Sequence, residues 1–103
     1  MSEFKNVTVV KKANVYFNGG VTSRTVIFAD GTKKTLGICM PGEYEFTTGV
    51  PEVMEFMAGE LEYRIGDSGE WKKISGSGSF DIPANTKFTM KIKTIADYCC
   101  SFA

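Results

Sequence analysis

Two carboxylates, Glu43 and Glu52, border apolar strand-like stretches, and Ser23 with Arg24 forms an isolated hydroxyl–guanidinium pair. A carboxyl beside Val53 and Met54 can bind hydroxyl groups, or act as a general acid if burial raises its pKa. The alternative for Glu52 is a solvated loop end just after Pro51, and Glu43 is a weaker version of the same arrangement. Ser23 and Arg24 combine groups suited to a phosphate oxygen. The glycine-rich run Ser75–Ser79 (SGSGS) offers backbone N–H groups to an anion only in the way any such turn does, and no phosphate-cradling GxxxxGK[ST] motif is present. The chain contains no histidine. The usual group titrating near neutral pH is therefore missing, and Ser-His-Asp and Cys-His catalysis are excluded.

The 103 residues are expected to form one domain, 1–103, in which residues 1–13 are an N-terminal extension that adds a strand. Twelve basic and twelve acidic residues cancel, which removes the electrostatic footprint of a nucleic-acid polymer binder. The same balance lowers one barrier to self-association. Cys39, Cys99 and Cys100 are a poor disulfide framework, with no CxxC pair, and read as reduced, buried thiols. The first residues lack the apolar core of a signal peptide, and no run approaches the roughly 20 residues of a membrane span. A cytoplasmic location is expected.

The elements that would position these groups are strands. Apolar residues mostly alternate between glycine and proline punctuators, which predicts about ten short strands and no confident helix. Asp30-Gly31 marks a hairpin. Tyr44 and Phe46 alternate with Glu43, Glu45 and Thr47, as in a half-buried strand. In Glu52 to Ala58 both parities are apolar, so that strand is expected to be covered on both faces. Ser75–Ser79 reads as a tight loop between strands, and residues 95–102 as a last apolar strand.

Glu52 is followed by Gly59 and a strand, Pro41-Gly42 lies shortly before it, and a glycine-to-proline turn runs from Gly78 to Asn85. Together these resemble the two motifs of the cupin superfamily, which implies an all-β fold: a single-domain, double-sheet barrel of jelly-roll type. Metal-binding cupins carry histidines at positions that fall near Glu45, Thr47 and Phe88 here. None is histidine, so no metal and no cofactor is expected, one carboxylate being a poor ligand set for a divalent ion. A narrower resemblance rests on Tyr16-Phe17-x-Gly-x-Val-x-Ser23, Pro41-Gly-Glu-Tyr-x-Phe-x-Thr48, Glu52-x-Met-x-Phe-x-x-Gly-x-Leu61 and Phe80-x-Ile-Pro-Ala-Asn85. In order and spacing these are similar to the pyrimidine/purine nucleoside phosphorylase family. The resemblance implies displacement of the base of a nucleoside by inorganic phosphate, broad acceptance of purines and pyrimidines, and a cytoplasmic homodimer.

Such a reaction needs an aromatic or apolar platform for the base, with Tyr44, Phe46, Met54, Tyr63 and Phe88 as candidates. Alternation accounts for the same five as barrel core. Ser23 and Arg24 are the candidates for phosphate, and Glu52 is the candidate catalytic group. Lys87, Lys91 and Lys93 read as a solvated outer face. Motif counting places Glu45 and Thr47 inward, whereas hydrophobicity places Tyr44 and Phe46 inward; the cost of burying Glu45 unpaired favours the aromatics. A non-catalytic small-ligand or sugar-binding cupin remains the alternative, distinguished by the absence of phosphate-dependent base release.

Overall fold

In a computed structural model, the structure describes residues 3–102; residues 1, 2 and 103, the ends of the expected 1–103 span, lie outside the described residues. The strands are β1 (Thr8–Val9), β2 (Asn14–Tyr16), β3 (Val21–Ile27), β4 (Lys33–Cys39), β5 (Gly42–Thr47), β6 (Glu52–Ala58), β7 (Glu60–Ile65), β8 (Lys72–Ser75), β9 (Gly78–Ile82), β10 (Lys87–Ile92) and β11 (Ala96–Phe102). One short 3-10 turn, Phe17–Gly19, links β2 to β3. A seven-stranded sheet has the order β1-β3-β4-β11-β6-β9, with β2 also on β3, and faces a four-stranded sheet of order β5-β10-β7-β8. This is the double-sheet, cupin-like barrel. Every pairing is antiparallel.

Alternation decides which side chains enter the barrel, because successive strand residues point to opposite faces. On β3, Val21 and Ser23 are buried while Arg24 is exposed. On β5, Tyr44 is buried and Phe46 half-buried, whereas Glu45 is exposed. Hydrophobicity thus sets the register here over the motif count. On β6, Met54 and Phe56 are buried, but Val53 and Met57 stay exposed on the outer face. The expected cover on both faces of this strand is therefore missing. Its two apolar parities reflect one face in the core and one apolar face left open in this chain.

Two glycines carry the chain between the sheets. The passage from β6 to β7 is a single residue, Gly59, with φ +113°. A Cβ there would lie 2.7 Å from the Ala96 Cα, so both the dihedral and the close approach require glycine. The chain returns at Gly76, whose N–H donates to the Gly59 carbonyl at 2.8 Å. The expected five-residue SGSGS loop is thus only Gly76–Ser77, since Ser75 ends β8 and Gly78 begins β9. In the β3–β4 hairpin only Gly31 takes a positive φ. Asp30 instead accepts from the Thr32 N–H (2.9 Å) and hydroxyl (2.7 Å).

Aromatic rings join the sheets. Tyr63 stacks on Phe80 with centroids 3.7 Å apart, Phe80 lies 6.1 Å from Phe56, and Phe56 lies 6.0 Å from Tyr98. Phe56 is almost fully buried at the centre of this column. Its truncation, Phe56→Ala, is expected to cost about 3–5 kcal/mol, read as a lower urea midpoint without loss of strand signal in circular dichroism.

Candidate active site

Beside the aromatic column the core opens into a cavity of about 260 Å³. This lies just under the roughly 300 Å³ at which pockets for drug-sized ligands begin. The seven-stranded sheet contributes Ser23, Thr35, Glu52, Met54, Tyr98, Cys100 and Phe102, and the four-stranded sheet contributes Phe46, Phe88 and Met90. Tyr16 and Thr47, both exposed, stand at the rim with Phe102. Their placement follows from register. Cys100 pairs with Thr35 on one side and Met54 on the other, and Phe102 pairs with Glu52.

Glu52 begins β6 and is half-buried. Burial raises its pKa above the usual carboxylate range. The Cys100 thiol donates to its Oε1 at 3.3 Å and opposes part of that rise. Burial, then the Glu52 charge, pushes the Cys100 thiol well above its ordinary value. Cys100 is therefore a neutral donor here, not a thiolate nucleophile. Burial likewise holds the Tyr98 phenol protonated, with the Ser23 hydroxyl beside it. Asn14 Nδ2 donates to Ser23 Oγ at 3.2 Å and to Thr25 Oγ1 at 3.3 Å. The inner face thus presents neutral hydroxyl, phenol and amide groups around one carboxyl. Among the described residues Glu52 is the one ionisable carboxyl of the lining.

The opposite wall is aromatic. Phe46 lies 5.8 Å from Phe88 in a stacked pair, and Tyr16 meets Phe46 edge-on at 5.7 Å. Phe17 packs on Phe46 at 5.3 Å and Tyr44 at 5.1 Å. Phe17 and Asn18 both have positive φ, 52° and 54°. For a bulky residue this is a strained conformation that surrounding structure must hold. The strain sets a ring at the edge of the aromatic wall.

Of the residues singled out in the sequence, Ser23, Phe46, Glu52, Met54 and Phe88 meet in this cavity. Three do not. Arg24 follows Ser23 on β3 and so points away, its Nε donating to the Lys11 carbonyl at 3.3 Å. Tyr44 is buried core, its hydroxyl donating to the Met40 carbonyl at 2.9 Å. Tyr63 lies across the aromatic column, lining a second recess with Phe80, Lys72 and Asp81. Tyr98, Cys100 and Phe102 line the cavity without having been expected from the sequence, although their alternation within residues 95–102 puts them on one face. Lys87 and Lys91 do occupy an outer face: Lys87 pairs with Asp67 and Glu45, and Lys91 lies over Trp71.

Metal-binding cupins raise the question of an ion at this site. No group of three or more His, Cys, Asp or Glu able to hold one occurs among the described residues. One half-buried carboxyl and a protonated thiol do not make a cation site.

Fold and cavity together define a cupin-like barrel whose site is built from a carboxyl, neutral polar groups and aromatic rings. A family model described as pyrimidine/purine nucleoside phosphorylase matches residues 11–102, and the chain belongs to that family. It is 62% identical over 102 residues to a protein of that name from Geobacter sulfurreducens, covering 99% of this chain and 98% of the relative. The corresponding protein of Geobacter metallireducens is 64% identical with the same coverage. A crystal structure from Acinetobacter sp. ADP1, described as a protein of unknown function, superposes with TM-score 0.93 at 44% identity, covering 98% of each chain. Hydroxypropylphosphonic acid epoxidase from S. wedmorenis, 7% identical, shares the fold alone, with TM-score 0.72 over 95% of this chain and 56% of its own.

The raised Glu52 pKa has a stability consequence. The folded state holds the proton more tightly than the unfolded state, so stability is greatest below the unfolded pKa and falls as pH rises through the folded pKa. Glu52→Gln keeps an acceptor for Cys100 and removes the charge. The variant is expected to lack this fall and to melt at least as high as wild type at neutral pH, measured by thermal unfolding across pH.

Proposed function

We propose that the chain catalyses phosphorolysis of purine and pyrimidine nucleosides to free base and ribose 1-phosphate, without a metal. The observation that carries this reading is a half-buried carboxyl of raised pKa inside an aromatic-walled cavity. Cleavage of an N-glycosidic bond leaves negative charge on the base, and a protonated carboxyl can neutralise it. An oxygen of inorganic phosphate forms the new bond to ribose C1′ while the bond from C1′ to the base nitrogen breaks. The bonding pair departs with the base, Glu52 gives it a proton, and the resulting carboxylate is reprotonated from solvent. Phosphate is itself the nucleophile, so the missing histidine is no obstacle. Catalysis then rests on positioning and charge stabilisation.

Phe46 and Phe88, with Met54 facing them from the other sheet and Tyr16 at the rim, form the base platform. Stacking is worth about 1–3 kcal/mol per base and tolerates different bases because each has a π-face. This supports broad specificity. Ser23, held by Asn14, and the Tyr98 phenol are placed to meet sugar hydroxyls.

We also propose a cytoplasmic homodimer joined through the outer face of the seven-stranded sheet. Register there forms the row Arg24–Leu36–Cys99–Glu55, with exposed Leu36, Ile38, Val53 and Met57 around it. A two-fold axis along the strands sets Arg24 opposite Glu55 of a second copy, the self-complementarity an isologous contact needs. Leu36→Glu is expected to leave a folded monomer in light scattering; an unchanged dimer would remove this face.

The test of the reaction is release of base from a nucleoside panel with and without phosphate. Release is expected only with phosphate and unaffected by a chelator. Glu52→Gln is expected to lower kcat on the order of 100- to 10,000-fold, the usual scale of general acid catalysis. Arg24→Ala is expected to retain turnover when assayed at concentrations where the assembly persists. Near-normal turnover of Glu52→Gln would take Glu52 out of the chemistry.

A further inference from the structure

The phosphorolysis reading leaves an electrostatic gap. Among the described residues the cavity lining carries one ionisable carboxyl and no lysine or arginine, yet the co-substrate is an anion. A cation must therefore reach in from the rim. Arg24, Lys33 and Lys34 are the cations borne by strands of the seven-stranded sheet. Arg24 is on the outer face, and Lys34 lies over the Phe4 and Phe28 rings. Lys33 differs. It shares the parity of Thr35, which lines the cavity, and pairs with Ile27. Lys34 pairs with Ser101, so Lys33 stands one position further on, level with Phe102. Phe102 in turn pairs with Glu52.

Strands lie about 4.8 Å apart, so Lys33 and Glu52 stand about 10 Å apart at their Cα atoms, across Phe102. Lys33 is exposed and makes no ion pair among the described residues. Burial and the Cys100 thiol are what act on Glu52, so the ammonium is not engaged with that carboxyl. The cations of the facing sheet are placed elsewhere: Lys87 and Lys91 on the outer face, Arg64 over Trp71, Lys72 in the second recess, and Lys73 exposed on β8, next to the buried Ile74.

We infer that Lys33 is the anion-binding residue of this site, holding inorganic phosphate at the rim between its ammonium and the Thr35 hydroxyl. This inference rests on the phosphorolysis reading for the identity of the anion. Lys33 and Thr35 are two residues apart on one strand face, a span of about 6.8 Å. A phosphate there faces the cavity interior, where the sugar would be presented. The ammonium offsets the repulsion the anion meets whenever Glu52 is ionised.

The experiment is titration of inorganic phosphate by calorimetry into wild type, Lys33→Gln, Lys33→Arg and Lys34→Gln, alongside phosphate KM from base release. Loss of one charge-assisted contact is expected to weaken phosphate binding on the order of tenfold in Lys33→Gln. Lys33→Arg should restore most of it, and Lys34→Gln, on the other face, should match wild type. Melting temperatures should be unchanged, since Lys33 is exposed. Wild-type affinity in Lys33→Gln, or equal weakening in Lys34→Gln, would overturn the assignment. Lys33-dependent binding without base release would keep the anion site and remove phosphorolysis. Base release with an unaltered phosphate KM in Lys33→Gln would do the reverse.

Discussion

Two sheets can enclose a binding space only if something holds them apart at one place and together at another. Here that is the ring column Tyr63–Phe80–Phe56–Tyr98. Stacked and tilted pairs of this kind each add about 0.5–1.5 kcal/mol beyond their area burial. The column fills the barrel on the β6–β9 side. Beyond it, toward β3 and β4, the inward residues shrink to Ser23, Gly37 and Thr35, and space remains. Gly37 is part of that arrangement, since a Cβ there would lie 2.8 Å from the Tyr98 ring and 2.1 Å from the Thr22 carbonyl. Tyr98 thereby ends the column and begins the polar wall.

The electrostatics of the site follow from this partition. A carboxyl at the start of β6 reaches a half-dry space whose nearest partner is a thiol, so its proton is held more tightly than in water. The neighbouring phenol and thiols are held protonated by the same burial, Cys39 being pushed up to about 12. An interior of neutral donors with one titrating acid suits a reaction in which charge appears only transiently on the substrate. Strong cations inside would pair with Glu52, lower its pKa and remove the proton that the proposed reaction gives to the departing base. Cations are instead carried on the outer faces and at the rim.

Much of this was legible in the amino-acid sequence because alternation is a local signal. Tyr44, Phe46, Met54 and Phe88 turned inward as their spacing requires, and the glycine and proline punctuation located most strand ends. The same rule, applied to neighbours, forbids Ser23 and Arg24 from entering one cavity, and the pair divides accordingly. Tyr98 and Cys100 lay within the rule's reach, but an apolar run such as residues 95–102 masks its polar members. Other features had no local signature. The Asn14 bond to Ser23 depends on the β2–β3 register, and the left-handed Phe17 and the Tyr63–Phe80 stack depend on contacts between elements that only the fold brings together. Lys33 is indistinguishable from a surface lysine until β4 and β11 are placed side by side.

In the proposed reaction this cavity transfers a ribosyl group to phosphate. The most direct measurement is a phosphorus NMR time course of the purified protein with a nucleoside and inorganic phosphate, with free base followed in parallel. Phosphorolysis requires a sugar-phosphate resonance that grows in step with free base while inorganic phosphate falls by the same amount. Free base without a sugar phosphate would mean hydrolysis, and no change in either signal would leave a binding protein; both would contradict it.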